Sequence, residues 1–373
     1  MEMSLDILVL SYNRQEEIAA MTTKPIKEFA VPSKTSVRKA GKILCKENPT
    51  AEEFEGALDV LSQWRSLYSY PINDFQNFLR RRLKKDGYAN AIVAQRIKRM
   101  PSIIGKLIRF PSMGLERMQD IGGIRVVLDK LPDVYRFHES LLLSKKHQAV
   151  LPPDDYIQTP KDDGYRSLHQ VFKYSGKSHH ELDGLRMELQ IRTRIQHEWA
   201  TAVETLGIIE KSSFKTGEGS EDFRTFFKLS SALFSIEEKS TVIGVYSHLP
   251  EKEIAGKLLD IERRLRVLTK LQGIAFTGKQ IETASKQTDE YHLMVLDAAR
   301  RLVSITPYSK KQWETVIDDY RTKEQKTKDN PDISIVLVSA GDFKAIKKAY
   351  PNYFLDTNNF IRRLKHILKR NLK

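Results

Sequence analysis

Arg96-Ile-Lys98 is followed at short intervals by Ser102, Lys106 and Arg109, and then by Met118-Gln-Asp120-Ile-Gly-Gly-Ile-Arg125. In a strand over 92–99 alternate side chains share a face, so Arg96 and Lys98 point together. Pro101 ends that strand and Ser102 opens a short helix as its N-cap. Ser102, Lys106 and Arg109 then fall at i, i+4 and i+7 and share one helical face. Such a cluster suits a polyphosphate, because Arg and Lys neutralise its oxygens while a metal ion bridges them. A run of charge also makes an ordinary solvated face, and this segment alone leaves both readings open.

The stretch 185–192, Leu-Arg-Met-Glu-Leu-Gln-Ile-Arg, alternates as a strand does. Leu185, Met187, Leu189 and Ile191 face the core; Arg186, Glu188, Gln190 and Arg192 face the other way. Burying four polar groups is costly unless they meet ligands or one another. An edge strand with a wet face is the alternative. Asp120 and Glu188 become candidate carboxylates on neighbouring strands. Magnesium takes one or two carboxylates plus phosphate oxygens, and one of the pair could also accept a proton from an attacking hydroxyl. Surface exposure is the commoner fate of acids. In Lys161-Asp-Asp-Gly164-Tyr165-Arg-Ser-Leu-His169 the glycine permits a tight turn. Tyr165 could then stack on a base, worth about 1–3 kcal/mol, or cap the core.

The elements that must position these groups are legible from periodicity. Thr50 and Glu53 form a capping box for a helix over 50–68 carrying Phe54, Leu58, Leu61 and Trp64. Pro71 breaks it, and a second helix leads Phe75, Phe78, Leu79 and Leu83 into Arg80-Arg81-Arg82-Leu-Lys84-Lys85. Residues 121–128 read as a strand, 132–144 as a helix with Val134, Phe137 and Leu141 inward, and 151–164 as a polar loop. Strands at 167–174 and 185–192 precede a helix over 194–208 with Ile195, Trp199, Ala202 and Leu206 on one side. The polar, Gly-rich 211–222 reads as a linker. Helical pattern returns over 223–238 and 251–271. Strands at 291–298 and 333–339, with helices at 310–325, 342–349 and 358–370, point to a small second α/β domain.

At 373 residues the chain has room for two domains. A single cysteine, Cys45, excludes an internal disulfide and a cysteine-rich zinc site. No apolar run reaches the roughly 18 residues of a membrane span, and the first residues, with Glu2 and Asp6, are unlike a secretory signal. The expected home is the cytoplasm. A net charge of +14 points to a polyanionic partner: a nucleotide, RNA or DNA.

Taken together, four motifs resemble the synthetase domain of the RelA/SpoT family. They are Arg96/Lys98/Ser102/Lys106, Asp120 to Arg125, Gly164 to His169 and Glu188-Leu-Gln-Ile-Arg-Thr193, in that order within about 50–210. The resemblance implies a mixed-sheet, nucleotidyltransferase-like α/β (α+β) domain flanked by helices. It also implies transfer of pyrophosphate from ATP to a ribose hydroxyl. Residue by residue, Arg96, Lys98, Ser102, Lys106, Arg109, Arg117 and Arg125 would bind ATP. Asp120 and Glu188 would be catalytic and hold Mg2+. Lys161, Tyr165, His169, Gln190 and Arg192 would bind the acceptor. One departure is Asp163, where the family often has Asn two residues before the stacking Tyr; an acid there disfavours a free, highly charged polyphosphate acceptor.

No His-Asp dipeptide occurs, so the hydrolase domain of long family members is not expected. The layout resembles the fused toxic small alarmone synthetases of the CapRel anti-phage type. That implies a toxin domain at 1–215, a helical linker at 216–272, and at 273–373 a C-terminal antitoxin and sensor domain, zinc-finger-like but without zinc. In that group the toxin pyrophosphorylates the 3′ CCA end of tRNA and stops translation. The C-terminal domain inhibits it until a phage major capsid protein binds. Tyr350-Pro-Asn-Tyr353 fits the inhibitory Tyr-x-x-Tyr motif of the group, or is a turn between two helices. Arg80, Arg81, Arg82, Lys84 and Lys85 could grip tRNA phosphates, or form an exposed helix face. The rival readings are an alarmone synthetase acting on free GDP, GTP or an adenosine nucleotide, and a non-catalytic RNA-binding module.

Overall fold

The computed structural model of the chain describes residues 31–144, 146–209, 221–277, 291–297, 302–309, 312–327, 330, 333–339 and 357–371. Tyr350, Tyr353, the helix expected at 342–349 and most of the 211–222 linker lie outside them. Helix α1 (Lys34–Ile43) is N-capped by Ser33. The capping box forms as the sequence predicts: Thr50 Oγ1 accepts from the Glu53 N–H at 3.1 Å, and Glu53 Oε2 accepts from the Thr50 N–H at 3.0 Å. It starts α2 (Ala51–Ser66), whose Leu61 and Trp64 are buried. The break falls at Leu67–Tyr68. Pro71 sits in the first turn of α3 (Ser69–Lys85), where a missing N–H costs no helical bond.

Strand β1 (Ile92–Ile97) ends earlier than expected, and α4 (Met100–Arg109) starts ahead of Ser102. Ser102 is therefore a residue of the first helical turn and not the N-cap, which is Arg99. Pro101 opens the helix instead of closing the strand, because its fixed φ suits a first turn. After β2 (Gly122–Leu128) comes α5 (Leu131–Leu142), with Val134, Phe137 and Leu141 buried as predicted. Short strands β3 (Gln148–Ala149) and β4 (Asp154–Asp155) precede β5 (Leu168–Lys173), β6 (Arg186–Thr193) and α6 (Arg194–Ile209).

The first sheet is mixed. Its order is β1-β2-β6-β5-β3, with β4 also on β5. Among its described strands only β2 and β6 run parallel. β6 is central, which removes the edge-strand alternative for its polar face. Met187, Leu189 and Ile191 join Ile124 and Val126 in a core shared with Phe75, Leu79 and Phe137 of α3 and α5. The other face of these strands is the polar one.

Helices α7 (Glu221–Glu237), α8 (Glu251–Leu265) and α9 (Val267–Thr277) follow. The single helix expected over 251–271 is two, divided at Arg266, which adopts a left-handed φ of 51°. With α6 and the last helix, α11 (Asn358–Asn371), they share a second core around Trp199, Phe226, Phe234, Leu258 and Phe360. The helices in the segment expected as a linker thus contribute to a packed core that they share with α6 and α11.

Strands β7 (Tyr291–Asp297), β8 (Leu302–Tyr308) and β9 (Ile333–Ser339) form an antiparallel sheet ordered β8-β7-β9, backed by α10 (Trp313–Lys326). Strand β8, which carries Pro307, is not among the strands expected from the sequence. As an edge strand β8 tolerates the missing donor. Helix α10, which backs this small sheet, meets the region of the first sheet: Arg65 of α2, 3% exposed, donates to the Lys98 carbonyl at 2.9 Å, to Glu324 at 2.6 and 3.0 Å, and to the Tyr320 hydroxyl at 3.0 Å. Among the described residues no helix is long and apolar enough to cross a membrane.

Candidate functional site

Strand register decides which polar side chains meet. Gly123 of β2 lies between Arg96 of β1 and Glu188 of β6. Two residues along, Arg125 is opposite Gln190, which is opposite His169 of β5. These two rows lie on the face away from the Met187–Leu189–Ile191 core. At Gly123 an added Cβ would come no nearer than 3.8 Å to Arg96. The glycine leaves an open gap across which Arg96 and Glu188 face each other, and Arg96 is one of the charges that lower the Glu188 pKa.

At the cationic end, the Lys98 and Lys106 ammonium groups both reach Asp120 Oδ2, at 2.6 and 2.9 Å. β1 ends just before Lys98, whose N–H donates to the Ile121 carbonyl at 2.8 Å and so places it beside Asp120. α4 brings Lys106 because Ile103 and Leu107 anchor its other face in the core. Burial pushes the Asp120 pKa up, but the two lysines outweigh it and hold the carboxyl below its ordinary value. Lys98 is pulled below the usual lysine range, by burial first and by Lys106 and Arg96 as like charges. Asp120 Oδ1 is buried without a hydrogen-bond partner. A carboxylate oxygen without a protein partner, beside two lysines, fits magnesium completed by phosphate oxygens, with Glu188 as the second carboxylate. Among the described residues no group of three or more His, Cys, Asp or Glu side chains is arranged for a metal.

At the aromatic end, His169 Nδ1 donates to Glu188 Oε1 at 3.1 Å, and its Nε2 meets the Tyr165 hydroxyl at 2.9 Å. Gln190 Nε2 donates to Glu188 Oε2 at 2.7 Å. Burial disfavours charge on both partners. Tyr165 and Glu188 nevertheless raise the His169 pKa well above the histidine range, while His169, Gln190 and Arg96 hold Glu188 well below the carboxylate range. Both directions favour the charged form of the pair, an imidazolium against a carboxylate. Lys161 Nζ lies 4.2 Å from the Tyr156 ring centroid and 5.6 Å from that of Tyr165, a cation over a pair of rings. Asp163, the departure noted in the sequence, accepts the Tyr165 N–H at 2.8 Å. Its oxygen closes a turn that Asn would close equally well.

The other expected site residues are more scattered. Ser102 and Arg109 lie on the exposed side of α4. Arg117 is exposed and donates to the Ser112 carbonyl at 2.6 Å. Arg192 is buried, 2% exposed, and donates to His197. Burial first, then Arg125, lowers its pKa to about 9. Of the α3 patch, Arg81, Lys84 and Lys85 are exposed, Arg80 is half-buried, and Arg82 donates to Asp86 at 2.9 Å. Tyr156 is a residue that sequence reasoning does not single out, although an aromatic inside an otherwise polar loop is a usable signal. Arg65 and Glu238 leave no local signal at all.

Residues 95–218 match the family model described as a region found in RelA / SpoT proteins. The chain is 33% identical over 113 residues to the GTP pyrophosphokinase YwaC of Bacillus subtilis, covering 28% of this chain and 52% of that protein. It is 36% identical over 121 residues to the GTP pyrophosphokinase YjbM of the same organism, covering 31% and 54%. The chain thus spans about half the length of these curated relatives. The crystal structure of small alarmone synthetase 1 from Bacillus subtilis aligns at 26% identity over 48% of this chain and 93% of that chain, with a TM-score of 0.42.

Proposed function

We propose that this chain is a cytoplasmic, ATP-dependent pyrophosphokinase of the RelA/SpoT type, and that its acceptor is the 3′ hydroxyl of the tRNA CCA end. The observation that carries the chemistry is one continuous polar face joining Lys98, Lys106 and Asp120 to Glu188, His169 and Tyr165, within a region that matches RelA / SpoT proteins. In the reaction the acceptor 3′ oxygen bonds to the β-phosphorus of ATP, the bond from that phosphorus to the α-phosphate oxygen breaks, and AMP leaves. Glu188 is the group that receives the hydroxyl proton. His169 and Gln190 hold its two oxygens in place. Arg96, Lys98 and Lys106 face the triphosphate, and the Tyr165 ring stacks on the acceptor base. Magnesium on Asp120 and Glu188 would neutralise charge developing on the phosphate oxygens. Little covalent chemistry is asked of the protein; positioning and charge do most of it.

The exposed Arg81, Lys84 and Lys85 and the net charge of +14 support an RNA acceptor. The names of the curated relatives, GTP pyrophosphokinases, favour a second reading in which a free guanosine nucleotide is the acceptor. For control, we propose that the C-terminal region restrains the synthetase until a phage major capsid protein engages it. The docking of α10 on Arg65, whose Nε also holds the Lys98 carbonyl, supports the restraint. The capsid trigger and the inhibitory part of Tyr350 and Tyr353 rest on the sequence resemblance. The experiment offers labelled ATP, magnesium, deacylated tRNA and GDP to the purified chain with and without a capsid protein. Label on tRNA that depends on the capsid protein supports the whole reading. Glu324→Ala and Tyr350→Ala should each release activity without the trigger, and unchanged basal activity in both removes the restraint.

A further inference from the structure

The loop that carries Tyr165 is held from behind by helices outside the sheet. Gly164 has a φ of +91°, and an added Cβ there would lie 3.0 Å from Ser231 Cβ and 3.2 Å from Trp199 Cζ2. Only glycine fits both the backbone angle and the space. Ser231 Oγ of α7 donates to the Gly164 carbonyl at 2.6 Å. On the other side of Tyr165, Arg166 runs inward with 2% of its side chain exposed. Its Nη1 donates to Glu238 Oε2 at 2.7 Å and to Ser240 Oγ at 3.1 Å, just past the end of α7. Glu238, 5% exposed, also accepts from Thr193 Oγ1 at the end of β6 and from Gln196 Nε2 at 3.3 Å. The end of α7 is pinned in turn by α11, whose Arg363 donates to Glu237 at 3.1 Å and to Glu198 of α6 at 2.9 Å.

A desolvated ion pair with this many partners tolerates little change of geometry, because either charge left alone in the interior is costly. Gly164 and Arg166 flank Tyr165 directly, so whatever fixes them fixes the backbone that aims its ring. Glu238 acts on Tyr165 only through Arg166.

We propose that Glu238, acting through the buried Arg166, is a positioning residue for the Tyr165 loop, with Ser231 as the second point of support. The claim that this loop receives the acceptor rests on the pyrophosphokinase reading; the support itself does not. Glu238→Gln keeps the shape and one acceptor oxygen, turns the other into an NH2 donor and removes the charge. Ser231→Ala removes one bond and should fold in any case. In hydrogen exchange on the full chain, amides at 164–167 should exchange about tenfold faster in Glu238→Gln and by a smaller factor in Ser231→Ala. Exchange in α4 should stay as in wild type. With deacylated tRNA as the acceptor, the apparent KM for tRNA should rise about tenfold in Glu238→Gln, while binding of a non-hydrolysable ATP analogue stays within about twofold. Unchanged exchange at 164–167 in both variants would overturn the proposal, as would equal loosening of α4 and the loop. A wild type that labels neither tRNA nor GDP would instead remove the chemical reading, and exchange would still decide the support.

Discussion

At one end of the polar face, Lys98 and Lys106 meet Asp120 across 22 and 14 positions of sequence. At the other, Gly164 and Arg166 are held by Ser231 and Glu238 across 67 and 72 positions. The cationic end is a local device: a strand end, a short helix and a loop place three half-buried side chains that can turn toward a polyphosphate. The aromatic end is a long-range one, fixed by buried polar bonds from a separate helical core. Flexible cations suit a ligand whose charge does the orienting. A base platform must be aimed in advance, since stacking is weak and directional.

The largest effect is expected where the two ends meet. Glu188→Gln should lower transfer by about 10³-fold while ATP-analogue binding survives; near-normal turnover would detach Glu188 from the chemistry. Asp120→Asn should cost about 10²-fold and raise the magnesium needed for half-maximal rate, which an activity-against-magnesium curve reads directly. An unshifted curve would move the metal elsewhere. The two ends should separate cleanly in binding. Tyr165→Ala should weaken the acceptor by roughly tenfold or more and leave the ATP analogue alone, and Lys98→Ala should do the reverse. If both substitutions weaken both ligands alike, the division into two ends fails. Replacing Arg81, Lys84 and Lys85 by Ala should flatten the salt dependence of tRNA binding, by about one logarithmic unit of slope for each phosphate no longer neutralised. A slope equal to that of wild type removes α3 from the RNA surface.

The smallest effect lies outside both ends and serves as their control. His147 is buried against Phe75 and Phe78, and burial, with Lys146 second, lowers its pKa to about 4. In the unfolded chain histidine protonates near about 6.5. A group with a depressed folded pKa supports the fold above its unfolded value, and this support is lost as pH falls through the window between about 6.5 and 4. The melting temperature should therefore drop over that window and drop less in His147→Phe. Parallel curves for the two proteins would contradict the assignment.

Sequence alone reaches further at the cationic end than at the aromatic one, for the same structural reason. Alternation in β6 and helical spacing in α4 are short-range patterns, and both place Glu188 and Lys106 on the right faces. Thr50 and Glu53 mark the start of α2 by their own chemistry. Ser102 misleads because Pro101 serves two roles, strand breaker and first-turn helix residue, and only tertiary packing of Ile103 and Leu107 selects the second. The partners of Arg166 and Arg65 are not legible because nothing within a few residues distinguishes an arginine that will be buried from one that will be solvated. The helices at 216–272 read as a linker because their apolar faces meet α11, from the far end of the chain.

The most direct test of the account is the fate of ATP labelled in its β- and γ-phosphates, followed with magnesium, deacylated tRNA and GDP present together. AMP should appear in step with label bound as pyrophosphate to the tRNA 3′ end. ADP with a singly phosphorylated acceptor, or inorganic phosphate alone, would contradict pyrophosphate transfer; AMP with label on GDP would keep the transfer and replace the acceptor.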